Sequence, residues 1–220
     1  MIELEKKIEK AIMVYPEEKF PKPNRYWIKE LTYCLRKAYY NRTLNPAREF
    51  NNYIFGGIMF HELFPKITKD IDEFKDAKWE ERCEKDCGDF VISGKTDITT
   101  EDTAYELKYS ASKLVSGECP EQYSLQVQPY GAILGKPNVG IIIVNSRFLK
   151  TTIFKMKTDK HVLDTLVERG KILHTALKDK TPPVGPEYHW ECSFCNWKKN
   201  CLSLLVEASK KAKEEMKWKK

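Results

Sequence analysis

Two carboxylates and an amine, at Asp97, Glu106 and Lys108, lie close together near the middle of the chain. The segment between the two carboxylates is polar and predicts a hairpin turn at Thr100–Thr103. If the strands pair symmetrically about the centre of that turn, Asp97 stands directly opposite Glu106. Directly opposed residues bring their Cβ atoms to about 4.5–5.5 Å, so these like charges would repel each other.

Glu106 and Lys108 are two residues apart on one predicted strand, so their side chains share a face. A divalent cation held by the two carboxylates would remove their repulsion, and the lysine could orient a water molecule or a phosphate. These residue types indicate a metal-dependent phosphodiesterase. Charged surface hairpins also produce a pattern this short by chance, so the rest of the chain must decide.

The composition predicts one folded domain of medium size. The chain has 220 residues, of which 41% are hydrophobic and 12% aromatic, enough for a substantial core. Its 38 basic and 32 acidic residues give a formal net charge of +6. That balance permits a polyanionic partner without requiring one.

The sequence predicts a cytoplasmic protein without membrane contact. Residues 1–14 form a charged, amphipathic segment that lacks the apolar centre of a signal peptide. The apolar run Val139–Val144 is far too short to cross a bilayer. In a cytoplasmic setting, the seven cysteines favour metal binding or free thiols over disulfides.

Hydrophobic periodicity predicts an α/β core followed by a cysteine-bearing cap. The predicted helices span residues 2–14, 26–40, 49–64, 120–134 and 160–178. The predicted strands span residues 79–82, 89–93, 96–99, 104–109, 139–145 and 151–156. Val139–Val144 is apolar throughout, as expected for a strand that is buried on both faces.

Three cysteines cluster late in the chain, at Cys192, Cys195 and Cys201. The first two have a chelating C-x2-C spacing, and zinc and iron–sulfur sites generally take four ligands. The candidates for a fourth ligand are Cys34, Cys83, Cys87, Cys119 and His189. Spacing alone does not choose between an iron–sulfur cluster and zinc, and buried free thiols are a third alternative.

Six short motifs follow one another along the chain: Cys34 before Leu35-Arg36-Lys37, Gly57-x3-His61, Gly94-Lys95-Thr96-Asp97, Glu106-Leu107-Lys108, Gln126-x3-Tyr130, and the triplet Cys192, Cys195 and Cys201. Together they resemble the RecB-type members of the PD-(D/E)xK nuclease superfamily. More narrowly, residues 26–201 resemble Cas-four, the CRISPR-associated exonuclease family with a four-iron four-sulfur (4Fe-4S) cluster.

The resemblance implies a single RecB-like nuclease domain over residues 1–220. Its restriction-endonuclease-like core, a central mixed sheet flanked by helices, would span about residues 50–180, and an iron–sulfur cap would combine about residues 24–46 and 187–220. The resemblance also selects the cluster ligands, namely Cys34, Cys192, Cys195 and Cys201. Such a cluster would join distant parts of the chain and remove freedom from the unfolded state.

The resemblance further implies a site for Mg²⁺ or Mn²⁺. Its ligands would be His61, Asp97, Glu106 and the backbone carbonyl of Leu107. Lys108 would orient or activate the attacking water. Gly57, four residues before His61 on the same helical face, could let this helix approach the sheet and present the imidazole.

Gln126 and Tyr130 would contact DNA or support the site from the helix that follows the hairpin. Pro129 lies inside that predicted helix, where a proline normally forces a kink. Competing registers would instead place Gln122 with Gln126, or Tyr123 with Gln128, on the functional face. The sequence leaves these alternatives open.

The resemblance implies a Mg²⁺- or Mn²⁺-dependent DNase that acts mainly on single-stranded ends. In a CRISPR setting it would trim prespacers alongside the integrase proteins, and it leaves self-association into a homo-oligomer open. One alternative is a stand-alone nuclease of a virus or mobile element. A different class would be a non-catalytic iron–sulfur DNA-binding protein, and zinc in place of the cluster is a third alternative.

Overall fold

The structure is a computed structural model that describes residues 4–7, 23–44, 52–111, 118–185 and 189–202. Its helices are α1 (Ile28–Thr32), α2 (Leu35–Thr43), α3 (Asn52–Thr68), α4 (Glu121–Leu134) and α5 (Lys160–Lys178), with short 3-10 helices at Asp72–Phe74 and His189–Phe194. Its strands are β1 (Arg25–Trp27), β2 (Lys78–Asp86), β3 (Val91–Thr99), β4 (Thr103–Ser110), β5 (Asn138–Asn145) and β6 (Thr151–Lys157). Residues 4–7 are helical, and the rest of the helix predicted over residues 2–14 lies outside the described residues.

The six strands form one mixed sheet in the order β1-β3-β4-β5-β6, with β2 paired to β3. β1 is parallel to β3 and β4 is parallel to β5, whereas the other neighbours are antiparallel. The predicted fold class, a central mixed sheet flanked by helices, is confirmed. The iron–sulfur cap and the domain limits stay predictions.

β5 separates two hydrophobic cores, because its side chains alternate between the faces of the sheet. One core contains Ile141 and Ile143 together with residues of α1, α4 and α5. The other contains Ile142 and Val144 together with Phe64 of α3. The prediction that this strand is buried on both faces is therefore confirmed. Within the described part of the chain, no helix is both long and apolar enough to cross a membrane.

Two different strands lie along the same edge of β3. Near its start β3 pairs through Ile92 with β1 on one edge and with β2 on the other. Near its end it pairs through Ile98 with β2 and β4, so β4 shares an edge with β1. Among the described strand pairs, none on this shared edge includes Gly94–Asp97. That stretch therefore faces an opening between β1 and β4, which we call the β3 opening.

The predicted hairpin forms in the predicted register. The turn closes at Thr100–Thr103 through a backbone hydrogen bond of 2.9 Å, and Ile98 pairs with Tyr105. Among the described pairs, the β3–β4 ladder does not continue to Asp97 and Glu106. The register that would place Asp97 opposite Glu106 is confirmed, but the regular ladder stops one pair short of them. Side-chain hydrogen bonds from Thr96 to Tyr105 and from Leu107 to Asp97 link the strands there instead.

The single helix predicted around Cys34 is also wrong. Strand β1 precedes α1, and the helix is interrupted at Tyr33 and Cys34, which lie between α1 and α2. Arg169 of α5 donates to the carbonyl oxygens of Leu31 and Tyr33, and the Cys34 N–H donates to Glu191 (3.1 Å). These distant partners satisfy backbone groups that a continuous helix would have paired locally.

Pro65 does not end its helix where the sequence predicted, whereas Pro129 lies inside its helix as predicted. α3 continues past Pro65 to Thr68, and α4 includes Pro129. A proline removes one backbone donor, but surrounding tertiary packing can override its local cost. The two strands predicted at residues 89–93 and 96–99 form one strand, β3, because β2 pairs along nearly its whole length.

Candidate active site

Asp97 lies in the β3 opening and uses both of its carboxylate oxygens. The backbone N–H of Leu107 donates to Oδ2 at 2.7 Å. Oδ1 lies 3.1 Å from Nδ1 of His61 on α3. The side chain of Asp97 thus joins the two separated strands and positions an imidazole from a third element.

Glu106, Lys108 and Gln126 form a connected group on the α4 side of the sheet. Nζ of Lys108 donates to Oε1 of Glu106 (2.7 Å) and to Oε1 of Gln126 (2.9 Å). Nε2 of Gln126 donates to the same Glu106 oxygen at 2.7 Å. A carboxylate, an ammonium and an amide therefore satisfy one another in a largely buried position, since the Glu106 side chain is 8% exposed.

Burial dominates the electrostatics of this group. It raises the pKa of Glu106, and the negative charge of Asp97 raises it further, while Lys108 opposes both effects. Burial alone would lower the pKa of Lys108, but the charge and hydrogen bond of Glu106 outweigh it, so that pKa is raised. The pair therefore favours a charged lysine beside Glu106, which is what an electrostatic partner for a phosphate requires.

Neighbouring carboxylates raise the pKa of His61. Burial would lower its pKa, but the hydrogen bond to Asp97 and the charges of Asp97 and Glu106 outweigh burial and raise it. The role predicted for Gly57 in bringing α3 to the sheet is not supported, because no described atom lies within 4 Å of where its Cβ would be. Gly56 is the glycine that faces the sheet, because a Cβ placed on it would lie 3.5 Å from the ring of Tyr109.

Tyr130 reaches the site from the same helix as Gln126. Its ring packs against Gly94, and Gln126 is its hydrogen-bond partner. Burial and the charge of Glu106 raise its pKa well above the usual value, so the phenol stays neutral. Gln126 and Tyr130 therefore both face the site. Gln128 does not, because it binds the carbonyl of Lys157 and the backbone N–H that follows β6.

The residues at the β3 opening are of types that bind divalent cations such as Mg²⁺ and Mn²⁺. Imidazole nitrogen and carboxylate oxygen are ligands for Mn²⁺, and Mg²⁺ is commonly held through one or two carboxylates while it keeps several waters. Asp97 and Glu106 could supply those carboxylates, with His61 alongside. Among the described residues, no group of three or more His, Cys, Asp or Glu side chains stands in an arrangement that could hold a metal ion. The metal site stays a prediction.

Electrostatic interactions connect some of the four predicted cluster ligands in pairs. Burial raises the pKa of Cys201, the charges of Cys195 and Cys192 add to it, and a hydrogen bond from Arg36 opposes them. Burial also raises the pKa of Cys34, to which Cys201 contributes. These effects link Cys34 with Cys201, and Cys201 with Cys192 and Cys195. In the part of the chain that the structure describes, no three of these cysteines stand in an arrangement that could hold a metal ion. Their binding of a cluster stays a prediction.

The other candidate cysteines lie elsewhere. Cys83 pairs with Gly94 in the sheet, and burial raises its pKa to about 12, so it stays a thiol. Cys87 follows β2, and Cys119 precedes α4. None of the seven cysteines forms a disulfide. The side chain of His189, the remaining candidate, lies outside the described residues.

Two tyrosines at the site were not assigned to it from the sequence. Tyr123 presents its ring 5.4 Å from Nζ of Lys108, and the sequence named it only in a competing register. Tyr33 interacts with the charges of Lys108 and Glu106. The only sequence signal for a role of Tyr33 was its position next to Cys34. The sequence predicted a continuous helix there, so it did not indicate that Tyr33 lies near the site.

Comparison with solved structures places this geometry in a known fold. One similar solved structure, that of SSO0001, has a TM-score of 0.64 at 18% identity over 89% of this chain and 91% of that one. The alkaline exonuclease LHK-Exo of Laribacter hongkongensis has a TM-score of 0.53 at 9% identity, over 72% and 90% of the two chains. LHK-Exo has also been solved in complex with dAMP.

A phage-related exonuclease of Haemophilus somnus has a TM-score of 0.54 at 15% identity, over 71% of this chain and 96% of that one. The fold is shared with exonucleases. No family model matches the sequence, and no curated protein matches it. At these identities the likeness establishes the fold alone, so the chemistry must be argued from the residues.

Proposed function

We propose that the protein is a Mg²⁺- or Mn²⁺-dependent DNA nuclease, acting as an exonuclease on single-stranded ends. The observation that carries this proposal is the meeting of His61 and Asp97 with the Glu106–Lys108–Gln126 group at the β3 opening. The fold shared with exonucleases supports it, and so does the dAMP bound to one of them.

The residues divide the work of hydrolysis among them. Asp97 and Glu106, with His61 and the carbonyl of Leu107, would hold the cation, which when bound polarises the phosphate and lowers the pKa of a water. The ammonium of Lys108 would orient that water and offset phosphate charge. Gln126 holds both Lys108 and Glu106 in place, and Tyr130 supports Gln126.

We further propose that Cys34, Cys192, Cys195 and Cys201 bind a 4Fe-4S cluster. The electrostatic interaction between Cys34 and Cys201 supports this proposal. An iron–sulfur cluster is held by cysteine thiolates, so Cys34 would have to lie near the C-terminal triplet. In a CRISPR context the enzyme would trim prespacers for the integrase proteins. A stand-alone nuclease of a virus or mobile element would use the same site.

The deciding experiment is a nuclease assay on anaerobically purified protein with Mg²⁺ or Mn²⁺. Linear single strands labelled at either end report polarity, and a circular single strand separates end-dependent from internal cleavage. We expect the linear strands to shorten and the circle to survive. Lys108→Ala and Glu106→Gln should each lower kcat by about 100-fold or more, because general acid–base and charge-stabilising groups contribute at that scale.

Glu101→Gln is the matched control, since Glu101 is an exposed carboxylate in the turn between the same two strands. It should leave the rate within about twofold, as surface substitutions usually do. Wild-type protein that binds single-stranded DNA but leaves it intact with Mn²⁺ would favour a non-catalytic DNA-binding protein instead. Equal losses in Glu101→Gln and Glu106→Gln would also refute the proposed site.

A further inference from the structure

The ammonium of Lys108 has three N–H donors. Among the described residues it donates to two oxygens, Oε1 of Glu106 at 2.7 Å and Oε1 of Gln126 at 2.9 Å. Its Nζ also lies over the ring of Tyr123, 5.4 Å from the ring centroid. A cation within about 6 Å of an aromatic centroid is attracted to the ring face.

The sequence of α4 places this ring beside the lysine. Tyr123 lies three residues before Gln126, so both side chains occupy one face of the helix. The first turn of α4 is anchored by the Tyr123 N–H, which donates to the carbonyl of Pro120 at 2.9 Å. The ring of Tyr123 is partly buried against the main core. Its position is therefore determined by packing, independently of the lysine.

The lysine side chain needs neighbouring groups to fix its position because it is long and flexible. Four rotatable bonds let an ammonium adopt many positions, and holding it in one of them costs conformational entropy. Glu106 and Gln126 bind it from two sides, and both are themselves positioned by hydrogen bonds to each other. The rigid ring of Tyr123 restricts the positions open to the Lys108 ammonium, and the face of that ring offers no competing oxygen acceptor.

We propose that Tyr123 is a positioning residue that holds the Lys108 ammonium against Glu106 and Gln126 through the face of its ring. This inference rests on the proposed nuclease function, since it concerns the orientation of the lysine during cleavage. The hydroxyl of Tyr123 has no part in it. Phenylalanine at this position should therefore still hold the ammonium of Lys108, because it keeps the ring face, whereas leucine should not.

Steady-state kinetics on single-stranded DNA test the proposal with Tyr123→Phe and Tyr123→Leu as a matched pair. We expect Tyr123→Leu to lower kcat about tenfold with KM within about twofold, since the lysine acts on the reacting phosphate and not on binding. Tyr123→Phe should keep the wild-type values. If KM rises in Tyr123→Leu while kcat holds, Tyr123 contacts substrate and the proposal is overturned. Equal losses in both variants would overturn it too.

Nuclear magnetic resonance tests the contact without any cleavage. The ring should shift the εCH₂ protons of Lys108 upfield in the wild type and in Tyr123→Phe, and the shift should vanish in Tyr123→Leu; Lys108→Arg assigns the signal. A shift that persists in Tyr123→Leu would refute the inference. Wild-type protein without nuclease activity would instead refute the proposed function, so the two failures are distinguishable. Tyr123→Met replaces Tyr123→Leu if the latter does not fold.

Discussion

At Gly94 the backbone passes directly beneath the ring of Tyr130. A Cβ placed there would lie 2.6 Å from Cδ1 of Ile28 and closer still to the Tyr130 ring. Real side chains do not approach so closely, so the absence of a side chain at Gly94 lets Tyr130 reach the site. The requirement is one of space, because the glycine sits within a regular stretch of β3.

Gly94→Ala should therefore push Tyr130 away from its position and lower the free energy of unfolding by about 1–3 kcal/mol, the usual cost of overpacking. Nuclease activity should fall with it, because Tyr130 supports Gln126. Urea unfolding followed by circular dichroism measures the first effect and the strand-shortening assay the second.

Gly57→Ala is the matched control for that substitution. No described atom lies within 4 Å of where its Cβ would be, and the residue is inside α3. Alanine should raise the free energy of unfolding by about 0.5–1 kcal/mol, since it is the better helix former. A Gly94→Ala variant as stable as Gly57→Ala would contradict the close packing.

The sequence predicted which residues gather at the site better than it predicted why. Asp97, Glu106 and Lys108 were identifiable by type and spacing, Gln126 was implied by the resemblance, and the structure brings them together. The predicted opposition of two carboxylates was too simple, because it assumed a regular ladder. A carboxylate that replaces a ladder hydrogen bond depends on three-dimensional contacts that no local pattern encodes.

At the scale of elements, a buried ion pair joins the first two helices. Arg42 of α2 donates from Nε and Nη2 to the carboxylate of Glu30 in α1, at 2.9 and 2.7 Å. Glu30 also accepts from the backbone N–H of Trp27 (2.8 Å), and Arg42 donates to the carbonyl of Arg25 (2.7 Å). The pair therefore fixes how β1, α1 and α2 meet.

Glu30→Ala should lower the free energy of unfolding by about 3–5 kcal/mol, because it leaves the charge of Arg42 buried without an opposite charge beside it. The two side chains are only 9% and 11% exposed. The double variant Glu30→Ala/Arg42→Ala should cost less than the sum of the two single variants, since it removes both charges together. Guanidinium unfolding curves of the three variants measure this.

The exposed pair between Glu168 and Lys171 on α5 supplies the comparison, with side chains 66% and 57% exposed. Glu168→Ala should change the free energy of unfolding by less than about 1 kcal/mol. Strict additivity of the Glu30 and Arg42 substitutions would show that the buried pair does not act as a unit.

Element boundaries were predictable where packing is local and failed where it is not. α5 was predicted with its observed limits, since its apolar stripe and its flanking residues are all in its own sequence. The break at Tyr33 and Cys34 was missed because Arg169 and Glu191, which satisfy its backbone groups, lie far along the chain.

On the scale of the whole molecule, the α1–α2 region and the C-terminal cysteine segment are held together by long-range contacts. The Cys34 N–H binds Glu191, 157 residues away. Nε1 of Trp197 donates to Oδ1 of Asn41 at 2.7 Å, and Nε of Arg36 donates to the carbonyl of Pro183 at 2.8 Å. These contacts hold the two segments that carry the four predicted cluster ligands against each other.

If a 4Fe-4S cluster is bound there, it stabilises the folded state, because it binds the native chain and closes a long loop. Cys34→Ser should therefore lose most of the iron and the visible absorption, and should unfold at lower temperature than anaerobic wild-type protein. Cys87→Ser is the control, since Cys87 lies outside the group, and it should keep its iron. Iron analysis and thermal unfolding monitored by circular dichroism measure both effects. Full iron content in Cys34→Ser would exclude Cys34 as a ligand, and colourless, zinc-loaded wild-type protein would identify the site as zinc.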